Sequence, residues 1–521
     1  MDLLYRALTD AIGPQAVSHD DALRELVSQD IFYRTDPVAM VVRPATADDV
    51  ARTVRLVRDH GAHLVVRGGG MSYSAGYLSD APDRAVLLDM RGLDRVVEIN
   101  AQDMYVVVQP GCTWAALHAV LDPLGLRTPY WGTLSGRMAT VGGGIGQNAI
   151  FWGAGAAGSA ADSVIGLEVV TGDGALVRTG SYGVANSNGF CRHFGPDLTG
   201  LFTADAGAMG VKTAIVLRLE RKPALSEGLS FLLPDNAALT GFMADVARSK
   251  LAAQQMALDD GLKTARLASG SWRDMAAVAW QVLRSAPNPV AGAVSVGRMG
   301  LAGKGVLDGM PYSAHIFIEA GGRAALAEHR AAVRELAASH GAREVTASVP
   351  QAMLAEPFPA LNGVTGPKGQ RWVPVHCVLP LSRADAGLAA LDGVFARHAA
   401  AMADHGITLS WLFTTIANHA FVIEPMFFWP DALEALHRHA IGEKRAGRFG
   451  DASPVPEARA LIARIRRDAV EAVDALGALH IQLGGFYPYR SRLGPDTLAL
   501  LDAVSARLDP QSVINPQVLR D

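Results

Sequence analysis

"VVRGGGMSYSAGY", residues 65–77, is the stretch on which the reading of the whole chain turns. Glycine loses more backbone freedom on folding than any other residue, so three in a row need a reason. Upstream, "ADDVARTVRLVRDHG" (47–61) carries Val50, Val54 and Val57 at helical spacing and ends in a glycine stop. "HLVV" then reads as a strand that delivers the glycines. A strand running into R-G-G-G-x-S-x-S offers backbone N–H groups to a ligand, with Arg67, Ser72 and Ser74 as further donors. That is the chemistry of a phosphate cradle. Taken alone, the segment reads equally well as a solvent-exposed glycine turn. No GK[ST] follows it and no G-x-G-x-x-G spacing is present, which argues against a P-loop and against ordinary NAD binding.

The chain has 521 residues, half of them hydrophobic and 19% charged, with a net charge of −4. That length predicts two or three folding units, and the charge balance suggests no nucleic-acid or anionic-membrane partner. The N-terminus lacks signal-peptide patterning and no apolar run is long enough to span a bilayer, so the expectation is cytoplasmic. Three scattered cysteines argue against a disulfide framework or a metal site.

Residues 1–225 alternate short strands with helices. "AVLLDM", "RVVEINA" and "MYVVVQPG" read as strands, "TWAALHAVLDPLG" as a helix, and "SVIGLEVVTGDGALVRTG" as a hairpin turning at Gly172–Gly174. "MGVKTAIVLRLERKP" reads as a strand leaving the domain. Residues 226–470 mix Ala/Leu-rich helices with strands such as "SAHIFIEA" and "HAFVIEPMFF", the pattern of helices on an antiparallel sheet. Residues 471–521 read as a strand, a helix and a terminal turn.

A second glycine cluster, "TVGGGIGQNAIFWGAG" (140–155), reads as another small-residue loop ahead of the hairpin. With "RPATADDVARTVRLVRDHG", the R-G-G-G-x-S loop, "VVVQPGCTWAAL", "GLEVVTGDGALVRTG", "FGPDLTGLFTADAGAMGVKT" and the terminal "DPQSVINP", the order of motifs resembles the vanillyl-alcohol oxidase / p-cresol methylhydroxylase (PCMH-type) superfamily of FAD enzymes. The resemblance implies an α+β fold: a two-subdomain FAD-binding domain (1–225, completed by 471–521) and an α+β cap with an antiparallel sheet (226–470). It implies that Gly68, Gly69, Gly70, Ser72 and Ser74 line the pyrophosphate, with Arg67 and Met71 in the same loop. It also implies that Gly142, Gly143, Gly144 and Asn148 run beside the flavin. Glu168, Val169, Val170, Gly210 and Val211 would approach the adenosine, and Asn515 the flavin.

Several branches of that superfamily tether FAD through a histidine just after the loop glycines, a place held here by Met71. Others add a cysteine before the second cluster, where Met138 stands. His376 in "WVPVHCVLP" (372–380) remains as a candidate tether or as a hydrogen-bonded sheet histidine, and non-covalent FAD is the expectation. "ALHIQLGGFYPYRSR" (478–492), read as a strand, places His480 and Gln482 on one face. His480 is the candidate base, and Gln482, Tyr487 and Tyr489 are the other catalytic candidates. The Tyr489-Arg490 dipeptide resembles one that phenol oxidases use to hold a phenolate. An ungapped alignment back from the C-terminus, however, puts Leu479-His480 at its place, and Ala139 replaces the expected aspartate. The cap supplies Arg371, Trp372, His376, Trp411 and His419 as substrate candidates, joined by Arg490. The function expected is an FAD-dependent oxidase or dehydrogenase taking a hydride from a CH–OH or activated CH group of a bulky, aromatic (lignin-like) alcohol. The alternatives are a hydroxy acid, with Arg371 as carboxylate anchor, or a flavin-binding protein without redox turnover. Expected partners are a small-molecule substrate, oxygen or a separate electron acceptor, and a second copy in a homodimer.

Overall fold

The helix Ala47–Asp59 starts where the sequence places it because Thr46 and Asp49 form a capping box, each side chain bonding the other's backbone N–H. Its buried Val50, Val54 and Val57 pack in one cluster with Leu4 and Leu8 of the helix Asp2–Ile12. Beneath them lie Met40–Val42, Ala85–Asp89 and His63–Arg67, paired in parallel. The strand Ala85–Asp89 is buried at every position, which explains its uninterrupted apolar run. In the computed structural model, residues 1–261, 310–450 and 452–519 are described, so residues 262–309 of the expected cap lie outside them.

These elements belong to a first unit comprising 1–150, 159–222 and 481–521. It also holds a five-stranded antiparallel sheet in the order Val96–Asn100, Tyr105–Val108, Val211–Arg218, Val164–Val170, Leu176–Arg178. The C-terminal return is physical: Val513 and Ile514 enter the first core, and the Val513 carbonyl accepts from Leu64 N at 2.7 Å.

Asp89, at the end of the innermost strand, is fully buried and meets Arg91 at 2.8 Å and Arg43 at 2.7 Å. Burial by itself would raise its carboxyl, but the two guanidinium groups outweigh that and hold it at about 2. An aspartate free in the unfolded chain titrates near ~3.9, so Asp89 stabilises the fold fully above that value and stops doing so as pH falls toward 2. With Arg43 half exposed, the contribution is about 2 kcal/mol. Asp89→Asn is expected to lower neutral-pH stability by about that amount and to flatten the acid limb of a urea-denaturation series between pH 4 and pH 2.

The second unit, 223–480 with the excursion 151–158, carries an eight-stranded antiparallel sheet. Its order is Arg343–Val345, Leu225–Leu233, Tyr312–Ala320, Ala252–Asp259, Thr408–Ile416, Ala420–Trp429, Arg371–Pro374, with Cys377–Pro380 also on Ala420–Trp429. The helices Asn236–Ser249, Arg323–Ser339, Ala384–Asp404 and Pro456–Asp474 belong with it. The excursion is anchored by Trp152, whose indole meets Phe317 edge-on at 5.5 Å and donates to the Pro357 carbonyl.

Two local expectations are corrected. The second glycine cluster is a short helix, Val141–Gly146, rather than a loop, because Thr140 caps it by accepting from Gly143 N. The stretch 478–492 is not a strand. Only Leu479 makes a bridge, to Val378, and turns follow, with Gln482 and Gly484 at positive φ.

Candidate functional site

In the first unit the two glycine clusters pack against each other, and this contact explains the glycines. A Cβ on Gly69 would overlap the Met138 carbonyl, and one on Gly68 would overlap the Thr140 hydroxyl. One on Gly142 would strike Pro110, and one on Gly144 would stand 2.8 Å from the Trp114 indole nitrogen. Gly70 adopts φ +76°, a turn that L side chains resist, and lies directly over the Arg67 guanidinium.

The surfaces so created line a cleft. Its walls include Gly68, Gly69, Gly70, Met71, Ser72, Gly142, Gly143, Gly144, Gly210 and Gln482, all singled out from the sequence. They also include residues that sequence reading missed: Gln147, Thr140, Pro110, Ala206 and Lys212. Lys212 is a lone lysine in the largely apolar strand "VKTAIVLR", a signal that went unread. Its ammonium, nearly buried, bonds both oxygens of buried Asp205 at 2.7 and 2.9 Å.

Arg67 is 1% exposed and, among the described residues, has no carboxylate partner. Its guanidinium reaches the Gly68 carbonyl at 3.3 Å and lies over the Tyr77 ring, while its Nε is buried without a partner. A buried cation without a counter-charge is costly unless an anion arrives. A cleft with glycine walls, backed by an uncompensated guanidinium against Gly70 and Tyr77, fits the diphosphate of FAD. Burial pushes the neighbouring Tyr77 phenol far up, so it stays neutral, and its hydroxyl donates to the Gln29 carbonyl.

Other predicted cofactor residues brace the cleft. Ser74 is buried beside the Ser72 hydroxyl at 3.2 Å. Asn148 holds φ +52° just past the short helix. Glu168 is taken up by Arg178 and Thr213, and Val169, Val170 and Val211 are core residues of the five-stranded sheet. Asn515 accepts from Val66 N at 2.8 Å and donates to the Ala206 carbonyl at 3.1 Å, sewing the terminal turn to two walls.

The catalytic and substrate candidates fare differently. Gln482 lines the cleft and donates to the Tyr73 hydroxyl at 2.9 Å. His480 does not line it. Its side chain is buried in the second unit with both ring nitrogens engaged, one at the His376 carbonyl and one at Asp474. Tyr487 is buried against Phe486, Tyr489 packs with Val518 and Leu519, and Arg490 pairs with Asp502 on the surface. Within the second unit, Trp411 stacks on Phe413 and meets Phe395 edge-on, a core role, and His419 is exposed in the hairpin turn 417–419. Trp372 is partly buried on the strand Arg371–Pro374. His376 is 3% exposed and 3.7 Å from Glu424.

Arg371 is no carboxylate anchor. It is 1% exposed, neutralised by Glu434 at 3.4 Å and Asp431 at 3.9 Å, and covered by Trp429. Asp431 also holds Arg459 and the Trp429 indole. Arg371→Met is expected to destabilise the second unit by about 3–5 kcal/mol, the cost of stranding buried carboxylates, as read by thermal unfolding.

The fold and cleft together define an FAD-binding protein. Residues 38–180 match the family described as FAD binding domain. The chain has the fold of p-cresol methylhydroxylase with substrate bound, at a TM-score of 0.74 and 16% identity over 100% of this chain and 97% of that one. It is similar to the glycolate oxidase subunit GlcD of Bacillus subtilis, 27% identical over 47% of this chain and 50% of that protein. It is also similar to a mitochondrial D-lactate dehydrogenase (cytochrome) of Arabidopsis thaliana, 32% identical over 35% of this chain and 30% of that protein. The chain spans at most about half the length of these two curated relatives. Residues 38–180 form an FAD-binding domain, and FAD is the cofactor that domain binds. Among the described residues no helix is long and apolar enough to cross a membrane.

Proposed function

We propose that the protein is an FAD-dependent oxidoreductase, an oxidase or dehydrogenase, that removes a hydride from a CH–OH or activated CH group of a bulky aromatic alcohol. The observation that carries this reading is the glycine-walled cleft, with the buried Arg67 guanidinium packed against its wall residues Gly70 and Tyr77. FAD supplies the two-electron acceptor when bound. The chain's own part is to set the uncompensated Arg67 guanidinium behind the glycine wall that would face the diphosphate, Lys212 being held by Asp205, and to keep the Tyr77 phenol protonated beside Arg67.

The likeness in fold to p-cresol methylhydroxylase extends over the cap, and that supports the aromatic reading. The proteins named for glycolate and D-lactate match less than half of this chain. A hydroxy-acid reading also lacks its anchor, because Arg371 is already neutralised. FAD is held without a covalent bond, since Met71 and Met138 cannot form one and His376 is buried beside Glu424. Oxygen or a separate acceptor completes the turnover, and a homodimer is the assembly expected.

The deciding experiment is anaerobic bleaching of the bound flavin by a panel of aromatic alcohols, hydroxy acids and sugars. Bleaching by the aromatic alcohols is expected; bleaching by hydroxy acids alone would replace the substrate class. A yellow protein that no compound bleaches would leave a binding module. After acid precipitation the yellow colour is expected in the supernatant, and colour in the pellet would establish a tether.

A further inference from the structure

Two buried acceptors, one in the cleft wall and one beside it, have no donor among the described residues. Gln147 lines the cleft, and its side-chain carbonyl oxygen is buried without a hydrogen-bond partner. The neighbouring Asn148 Oδ1 is in the same condition, on a backbone held at φ +52°. Gln147 is itself fixed in place: its backbone carbonyl accepts from Gln482 N at 2.9 Å, and its amide nitrogen lies against Gly76, where any Cβ would overlap it. Gln482, at φ +56°, is tied in turn to the Tyr73 hydroxyl at 2.9 Å. Non-glycine residues at positive φ are strained and persist where the surroundings over-determine them. Buried acceptors in native proteins find donors, and here the described residues supply none.

We propose that Gln147 is a positioning residue for FAD, its side-chain carbonyl accepting the N3–H of the isoalloxazine ring. This rests on the FAD reading of the cleft. The imide edge of that ring offers one N–H between two carbonyls, and a primary amide matches it with its oxygen on the N–H and its nitrogen on a carbonyl. Arg67 would serve the anionic part of the cofactor, whereas this acceptor-rich corner would repel phosphate. The adenine amino group is the competing N–H donor in the same molecule.

The test is a set of FAD titrations of the full-length apoprotein by flavin fluorescence, using FAD, FAD methylated at N3 of the flavin, and FAD methylated at N6 of the adenine. Wild type is expected to bind the N3-methyl compound about tenfold more weakly than FAD, the effect of stranding one buried acceptor. The N6-methyl compound should bind as FAD does. Gln147→Met is expected to weaken FAD about tenfold and to lose the discrimination against N3 methylation, while Gln147→Glu, which keeps an acceptor, retains it. Equal binding of FAD and N3-methyl-FAD by wild type would overturn the proposal, and that arm needs no variant to fold. Discrimination at N6 in place of N3 would overturn it in favour of adenine. Failure of wild type to bind FAD at all would instead remove the underlying reading of the cleft.

Discussion

Gly69→Ala is expected to abolish FAD binding and to destabilise the first unit by about 3 kcal/mol or more, as overpacking against a rigid neighbour does. The added methyl would overlap the Met138 carbonyl, and the atoms next nearest to it are Met138 C and Ala139 N, all backbone. No rotamer change relieves a backbone clash, so the strand end and the short helix Val141–Gly146 must separate. Gly68→Ala is the control. Its methyl meets the Thr140 hydroxyl, which can rotate away and forfeit the helix cap at Gly143, costing about 1 kcal/mol. Urea denaturation with flavin absorbance should therefore rank wild type, Gly68→Ala and Gly69→Ala in that order. Equal stability of the two variants would mean that ligand approach alone selects these glycines.

Arg67→Met is expected to raise the FAD dissociation constant about a hundredfold while leaving the apoprotein as stable as wild type, or more so. Charged hydrogen bonds contribute about 1.5–3 kcal/mol, which sets the loss of affinity. The apoprotein pays no equivalent penalty because Arg67 has no carboxylate partner among the described residues, and methionine fills a similar volume without a desolvated charge. The forfeited stacking on Tyr77 is worth only about 0.5–1 kcal/mol. Thermal unfolding of apoprotein beside FAD titration separates the outcomes. A variant that unfolds readily yet binds FAD normally would make Arg67 a structural brace.

The FAD-binding half was legible because its signals are local. The capping box at Thr46, the helical spacing of Val50, Val54 and Val57, and the apolar run 85–88 each depend on residues close in sequence. The cap and the catalytic candidates were less legible. Arg371 and Trp411 are ordinary core and ion-pair residues whose partners lie many positions away, at Glu434 and Phe395. His480 looked like a free base on a strand face, but the strand is absent and Asp474 and the His376 carbonyl occupy its ring. The eight-residue excursion 151–158 left no mark in composition at all.

By itself the sequence determined the class of protein: a strand running into R-G-G-G-x-S, a second glycine cluster and a terminal D-P-Q-S-V-I-N-P, in an order that resembles PCMH-type FAD proteins. It also determined, through Met71 and Met138, that two of the superfamily's covalent bonds to FAD cannot form. Only the tertiary structure decided why the glycines are glycines, since Gly68 and Gly69 owe their identity to Thr140 and Met138, some seventy residues on. It alone decided which cations stand at the cleft and which are already neutralised, because a charge is free or spent according to neighbours that the linear order of residues does not reveal.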